Sequence, residues 1–178
     1  MRRIFRRHIR KTLAQDVPPI LQEANFAFAK GEYGRAGELF ERIAEAASAR
    51  GGPRAALFHL QAGRARILAG QTALGMPSLK RGLELLALRR QFPRLNHFAA
   101  RVIAELNEHG LKKEVTEIEA WLKTVSPIPP ASEPELNRPL LPTYCPACGA
   151  ALRPDEVEWL DELTAECAYC GSPVRAES

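Results

Sequence analysis

Between Pro19 and Val125 the apolar positions recur with the 3.6-residue period of helices, and glycines and prolines cut the pattern into six segments. The segments cover residues 19–30, 33–49, 53–69, 76–91, 93–109 and 111–125, with breaks at Lys30-Gly31, Gly51-Gly52-Pro53, Gly70, Phe92-Pro93 and Gly110. Pro77 sets the start of the fourth. A proline deeper in a helix would break it, so residues 71–75 are expected as a loop and the helix from Met76. Gly31, Gly70 and Gly110 lie 39 and 40 residues apart, each between two helical segments. That period predicts three antiparallel helix hairpins stacked in an array, each burying its apolar face against the next. The expected core includes Phe26, Phe28, Phe40, Ile43, Leu83, Leu106 and Trp121.

In the first pair, Ala27, Gly31, Tyr33, Ala36 and Phe40 form a pattern of small and aromatic residues around a turn glycine. The pattern resembles a tetratricopeptide repeat. The second pair keeps Gly70 and Leu79, and the third keeps Gly110 and Val115. Both lack the aromatic after the turn and exceed the 34-residue period of that family. The resemblance covers residues 19–125 and implies a concave groove that binds a protein or peptide. Residues expected to line it lie on the first helix of each pair: Asn25, Gln61 and Asn96.

Six prolines in residues 126–144 exclude a helix or a central strand, so an extended linker is expected there. All four cysteines follow it, as Cys145-Pro-Ala-Cys148, eighteen intervening residues, and Cys167-Ala-Tyr-Cys170. This spacing fits a zinc site. Two residues between cysteines let one tight turn aim both sulfurs at one ion, and Gly149 and Gly171 let the backbone turn beneath them. Residues 156–160 and 163–167 read as two short strands, with Asp161-Glu162 supplying the turn. Residues 144–175 closely resemble a zinc ribbon, which implies one structural Zn2+ held by Cys145, Cys148, Cys167 and Cys170. Four thiolates leave no open coordination position, so a catalytic metal is not expected. A rubredoxin-like iron electron carrier uses the same ligands. Two disulfides would need an oxidising compartment.

Charge divides the chain further. Residues 1–11 carry six basic side chains and no acid, residues 17–125 a net of +5, and the last 34 residues a net of −5. The basic start includes an apolar stripe, so residues 1–16 are expected as an amphipathic helix. Arg2, Arg3, Phe5, Arg6, Arg7, Ile9, Arg10, Lys11 and Leu13 would contact an anionic membrane surface. A cap on the first repeat, an arm for nucleic acid and an organellar presequence are the alternatives. Lys80, Arg81, Arg89, Arg90, Arg94 and Arg101 make a second basic cluster, expected as a solvated face.

No apolar run is long enough to span a bilayer, and no secretory-type apolar stretch follows the basic start. A cytoplasmic location is expected, peripheral at the inner membrane face if the first helix binds lipid. His8, His59, His97 and His109 belong to no nucleophile–base motif, and there is no phosphate-binding glycine loop. The expected fold is mainly α, three stacked hairpins plus a small β zinc ribbon. Its expected modules are residues 1–16, 17–125, 126–143 and 144–178. The expected function is a non-enzymatic adaptor for protein–protein interaction. A nucleic-acid-binding regulator using the ribbon and the basic helices is the alternative, and steep salt dependence of binding would identify it.

Overall fold

The computed structural model describes residues 17–125, 139–154 and 157–176. The N-terminal segment 1–16, with every membrane-contact residue expected there, and the linker residues 126–138 lie outside the described residues. The chain forms two compact units, one from Met1–Phe26 with Glu135–Ser178 and the other from Ala27–Pro134. Residues 19–26, expected within the helical repeats, thus belong to the same unit as the cysteines.

Six helices occupy the segments that apolar periodicity marks: α1 Pro19–Ala29, α2 Tyr33–Ala49, α3 Ala55–Leu68, α4 Thr72–Leu88, α5 Phe92–Glu108 and α6 Lys112–Val125. Their ends share one backbone device. After α1, the Gly31 N–H donates to the Phe28 carbonyl at 3.0 Å and the Glu32 N–H to the Ala27 carbonyl at 2.9 Å. This is a Schellman motif, which satisfies carbonyls that the last helical turn leaves open. The same pair of bonds closes α2 at Gly51, α3 at Gly70, α4 at Arg90 and α5 at Gly110, each in the left-handed region. The repeat is therefore 19 or 20 residues, half the spacing of the three glycines that sequence reading connects. Arg90, at φ 56°, carries no glycine signal yet holds the glycine place.

The fourth helix differs from expectation. It starts at Thr72 and carries Pro77 inside it. Pro77 has no N–H to give the carbonyl of Ala73, four residues back, so one helical bond is lost. Both residues are exposed, which leaves that carbonyl open to water. Gly75, expected in a loop, instead faces α3. A Cβ on Gly75 would lie 2.8 Å from the Gly63 carbonyl oxygen, and one on Gly63 would lie 2.7 Å from that of Gly75. One turn and more further on, a Cβ on Gly82 would lie 2.8 Å from the Ala56 oxygen. The two backbones touch along a line that only glycine permits.

Leu83, Leu86, Leu95, Leu106 and Ile118 are almost wholly buried in the helical unit. Phe28 meets Tyr33 at 5.3 Å and Phe40 at 6.5 Å, both edge to face. Ala27, Ala36 and Phe40 are buried. Arg66 is 7% exposed and threads over Gly37 to a bidentate pair with Glu41, at 3.0 and 2.6 Å, while a third nitrogen reaches Gln71 at 2.7 Å. Four core expectations need correction: Phe26 is 61% exposed, and Phe28, Ile43 and Trp121 are only half-buried. Ile43 and Trp121 lie at the edge of their helices' buried stripes, whereas Phe26 lies on the face of α1 away from the buried Leu21, Ala24 and Asn25.

In the other unit a three-stranded antiparallel sheet has the order β1 (Glu158–Trp159), β2 (Thr164–Glu166), β3 (Pro173–Arg175). Trp159 pairs with Ala165, which pairs with Val174. The first two strands are shorter than expected, and the third was not foreseen because Pro173 disguises it. Proline is tolerated as the first residue of an edge strand. Asp161 makes the turn between β1 and β2, its carboxylate accepting the Leu163 N–H at 2.9 Å. That bond holds its pKa below the ordinary value.

Candidate metal centre

Cys145 and Cys148 sit on one backbone loop, Cys167 and Cys170 on another, and the loops are built alike. In the first, the Cys145 N–H donates to the Ala150 carbonyl at 2.8 Å and the Gly149 N–H to the Cys145 carbonyl at 2.9 Å. In the second, Cys167 N–H donates to Ser172 at 2.9 Å and Gly171 N–H to Cys167 at 2.8 Å. Gly149 and Gly171 take φ of 71° and 77°, the conformation the spacing required of them. A bridge between Tyr144 and Ala151 closes the first loop, and β2 and β3 flank the second.

The four sulfurs are buried and lie within 4.8 Å of one another. Cys145 Sγ is 3.7 Å from Cys170 Sγ, and Cys148 Sγ is 3.8 Å from Cys167 Sγ. A tetrahedron with metal–sulfur bonds of about 2.3 Å has edges of about 3.8 Å, so the closest pairs fit a four-coordinate thiolate site. Neither pair is a disulfide; all four cysteines are free.

Thiols this close do not ionise alike. Hydrogen bonds from Cys148 and then Cys167 lower the Cys145 thiol to about 6. Those led by Cys145 hold Cys170 far below the usual thiol range. The reciprocal contacts, again led by Cys145, push Cys148 and Cys167 far above it. Four thiolates this close would repel one another, and a cation between them would relieve that repulsion.

Two side chains of α1 reach the first loop. Gln22 Nε2 donates to the Ala147 carbonyl at 2.9 Å, and Asn25 Nδ2 to the Cys148 carbonyl at 2.8 Å. Asn25 is 7% exposed. Its place is therefore against the cysteine loop, not on an open groove. Gln61 and Asn96 are half-buried on α3 and α5. Gln22 escaped sequence reading as a site residue, and Asn25 was assigned to a groove, because a backbone carbonyl more than a hundred residues away leaves no motif. One signal was available: Asn25 is the polar residue within the apolar run Ala24–Ala29.

The second basic cluster is largely engaged. Lys80 pairs with Glu117 and Arg81 with Glu84. Arg89 donates to the Gly51 and Gly52 carbonyls at 3.2 and 2.9 Å, a cation at the C-terminal end of α2. His59 accepts or donates a hydrogen bond with Ser48 Oγ at 3.0 Å through Nε2. No helix among the described residues is long and apolar enough to cross a membrane.

Fold and site together define a mainly helical protein carrying a four-cysteine cluster able to hold one metal ion. Comparison with known proteins adds nothing to that class: no protein-family model, curated protein or solved structure matches the chain.

Proposed function

We propose that the protein is a non-enzymatic adaptor in which one Zn2+ at Cys145, Cys148, Cys167 and Cys170 holds a ribbon together and the helical unit binds a protein or peptide. The observation that carries the metal reading is the burial of four sulfurs at tetrahedral spacing. Four thiolates favour zinc or iron and fill the coordination sphere, so the metal's task is structural. The sheet has strands of two or three residues, far below what folds alone, so metal binding would supply folding free energy. The adaptor reading is supported by the regular helix–turn repeat and by the Ala27, Gly31, Tyr33, Ala36, Phe40 pattern of a tetratricopeptide-like pair.

The nucleic-acid alternative has weaker support, since Lys80, Arg81 and Arg89 already have partners within the fold. Elemental analysis of the purified full chain tests the metal. One zinc per chain and a colourless protein are expected, whereas stoichiometric iron with a red colour would make it an electron carrier. For the adaptor, a partner retained by the wild type and by Cys148→Ser, yet lost on disrupting the helical unit with Gly63→Val, is expected. Retention by Gly63→Val and loss in Cys148→Ser would move the binding function to the ribbon.

A further inference from the structure

The Cys148 carbonyl and the Gly149 N–H belong to one peptide unit. Its N–H closes the first cysteine loop onto the Cys145 carbonyl at 2.9 Å, and its oxygen accepts the Asn25 amide at 2.8 Å. One carbonyl earlier, Ala147 accepts from Gln22 at 2.9 Å. Gln22 and Asn25 are three residues apart, adjacent on one face of α1, and so grip consecutive carbonyls of the loop. A Cβ on Gly149 would meet the Asn25 Cβ at 3.8 Å, so a side chain at this place would just reach α1. Leu21 and Ala24, on the same stretch of helix, are 3% and 0% exposed. Asn25 itself is a buried amide that would lose its only described acceptor if the loop moved away.

The second loop carries a bond of its own. Its cysteine Cys170 accepts the Ser172 N–H at the sulfur, at 3.5 Å, a bond made within the loop itself. The first loop takes support from a helix far away in sequence.

We infer that α1 is part of the metal centre: Asn25, with Gln22, is a positioning residue for the first cysteine loop, and metal occupancy and the docking of residues 19–26 stabilise each other. The inference rests on the metal reading proposed above. Its logic is linkage. If docked α1 holds Cys145 and Cys148 in ligating geometry, α1 raises metal affinity, and metal must then hold α1 by the same factor. Groups that orient metal ligands from outside change affinity about 10–100-fold when removed. Hydrogen bonds running through a single peptide unit strengthen one another, which favours transmission from Asn25 to the Cys145 loop closure.

The test uses the full chain. Zinc affinity is measured by competition with a chelator for wild type, Asn25→Ala and Gln22→Ala, and amide exchange of residues 19–26 is followed with and without zinc. Alanine is a better helix former than asparagine, so a loss of affinity in Asn25→Ala does not arise from weaker intrinsic helicity of α1. Expected are a 10–100-fold weaker affinity in Asn25→Ala, a smaller loss in Gln22→Ala, and zinc-dependent protection of residues 19–26 that Asn25→Ala removes. Equal affinity of Asn25→Ala and wild type, or exchange of 19–26 that zinc leaves unchanged, overturns the inference while the metal site stands. A wild type that binds no zinc or iron overturns the metal reading itself, and this inference with it. If Asn25→Ala fails to fold, Asn25→Asp, which keeps the shape but removes the amide donor, takes its place with the same expectation.

Discussion

In the helical unit Leu83, Leu86 and Leu106 are at most 1% exposed, and five identical helix ends satisfy the carbonyls between them. In the other unit the buried residues include the four cysteines together with Leu21, Ala24, Ala150, Leu152, Ala165, Tyr169 and Val174, beside strands of two or three residues. The first is built on a large apolar core; the second sets four thiols, which repel one another when ionised, among a few buried apolar side chains. Apolar burial is present in the helical unit whatever the solution contains, whereas on the proposed metal reading the cysteine unit would depend on a cation. The difference teaches where each unit should break.

The largest effect is expected from Cys148→Ser or from chelation. Protection of the β1–β3 amides should be lost completely, while the far-ultraviolet helical signal from α2–α6 persists. Parallel loss of both signals would show that the two units depend on one metal-stabilised cooperative fold. Next comes the helical unit's narrowest point. Gly63→Ala forces a Cβ against the Gly75 carbonyl and the Leu79 backbone, and should cost about 2–3 kcal/mol in denaturant unfolding of the helices, with metal affinity unchanged.

Glu41→Ala strips the bidentate partner from Arg66, which keeps Gln71 and a longer contact to Glu38 at 3.8 Å. Glu41 is partly exposed, so the expected loss is about 1–2 kcal/mol. Arg90→Gly should move the other way. It relieves a left-handed backbone at a place glycine fills in the other four turns, and is expected to stabilise by about 0.5–1 kcal/mol.

The smallest effect is a pH dependence. Burial, and then Arg81, lower the pKa of His59 below 6.5, with Glu45 opposing. The unfolded chain then binds the proton more readily than the folded one. His59 therefore adds stability that is complete above about pH 6.5 and is lost as pH falls through its lower folded value. Thermal melts of the helical signal should show a steeper decline below pH 6.5 in wild type than in His59→Gln.

Sequence reading reached these two units unequally. The cysteine loops were legible in full, because C-x2-C followed by glycine encodes both the ligands and the turn beneath them. Helix count was legible because leucine and alanine repeat at 3.6-residue spacing. The true turn period was not, because Arg90 does in one turn what glycine does in the others, and propensity gives no reason to expect it. Gly75 was misread through Pro77, though small residues seven apart on both partners, Ala56 and Gly63 against Gly75 and Gly82, announced a close helix crossing. Asn25 was misplaced for a deeper reason: its partner is a backbone carbonyl, and carbonyls have no residue identity to find.

The proposed dependence of the cysteine unit on metal is tested most directly by a zinc titration of the Trp121→Phe full chain. Trp159 on β1, whose indole N–H donates to the Pro154 carbonyl at 3.2 Å, is then the remaining tryptophan. Its fluorescence should change until one equivalent of zinc is bound and revert on chelation, while the helical signal of α2–α6 persists throughout. A fluorescence signal indifferent to zinc, with the β1–β3 amides protected in its absence, would contradict a fold held by metal.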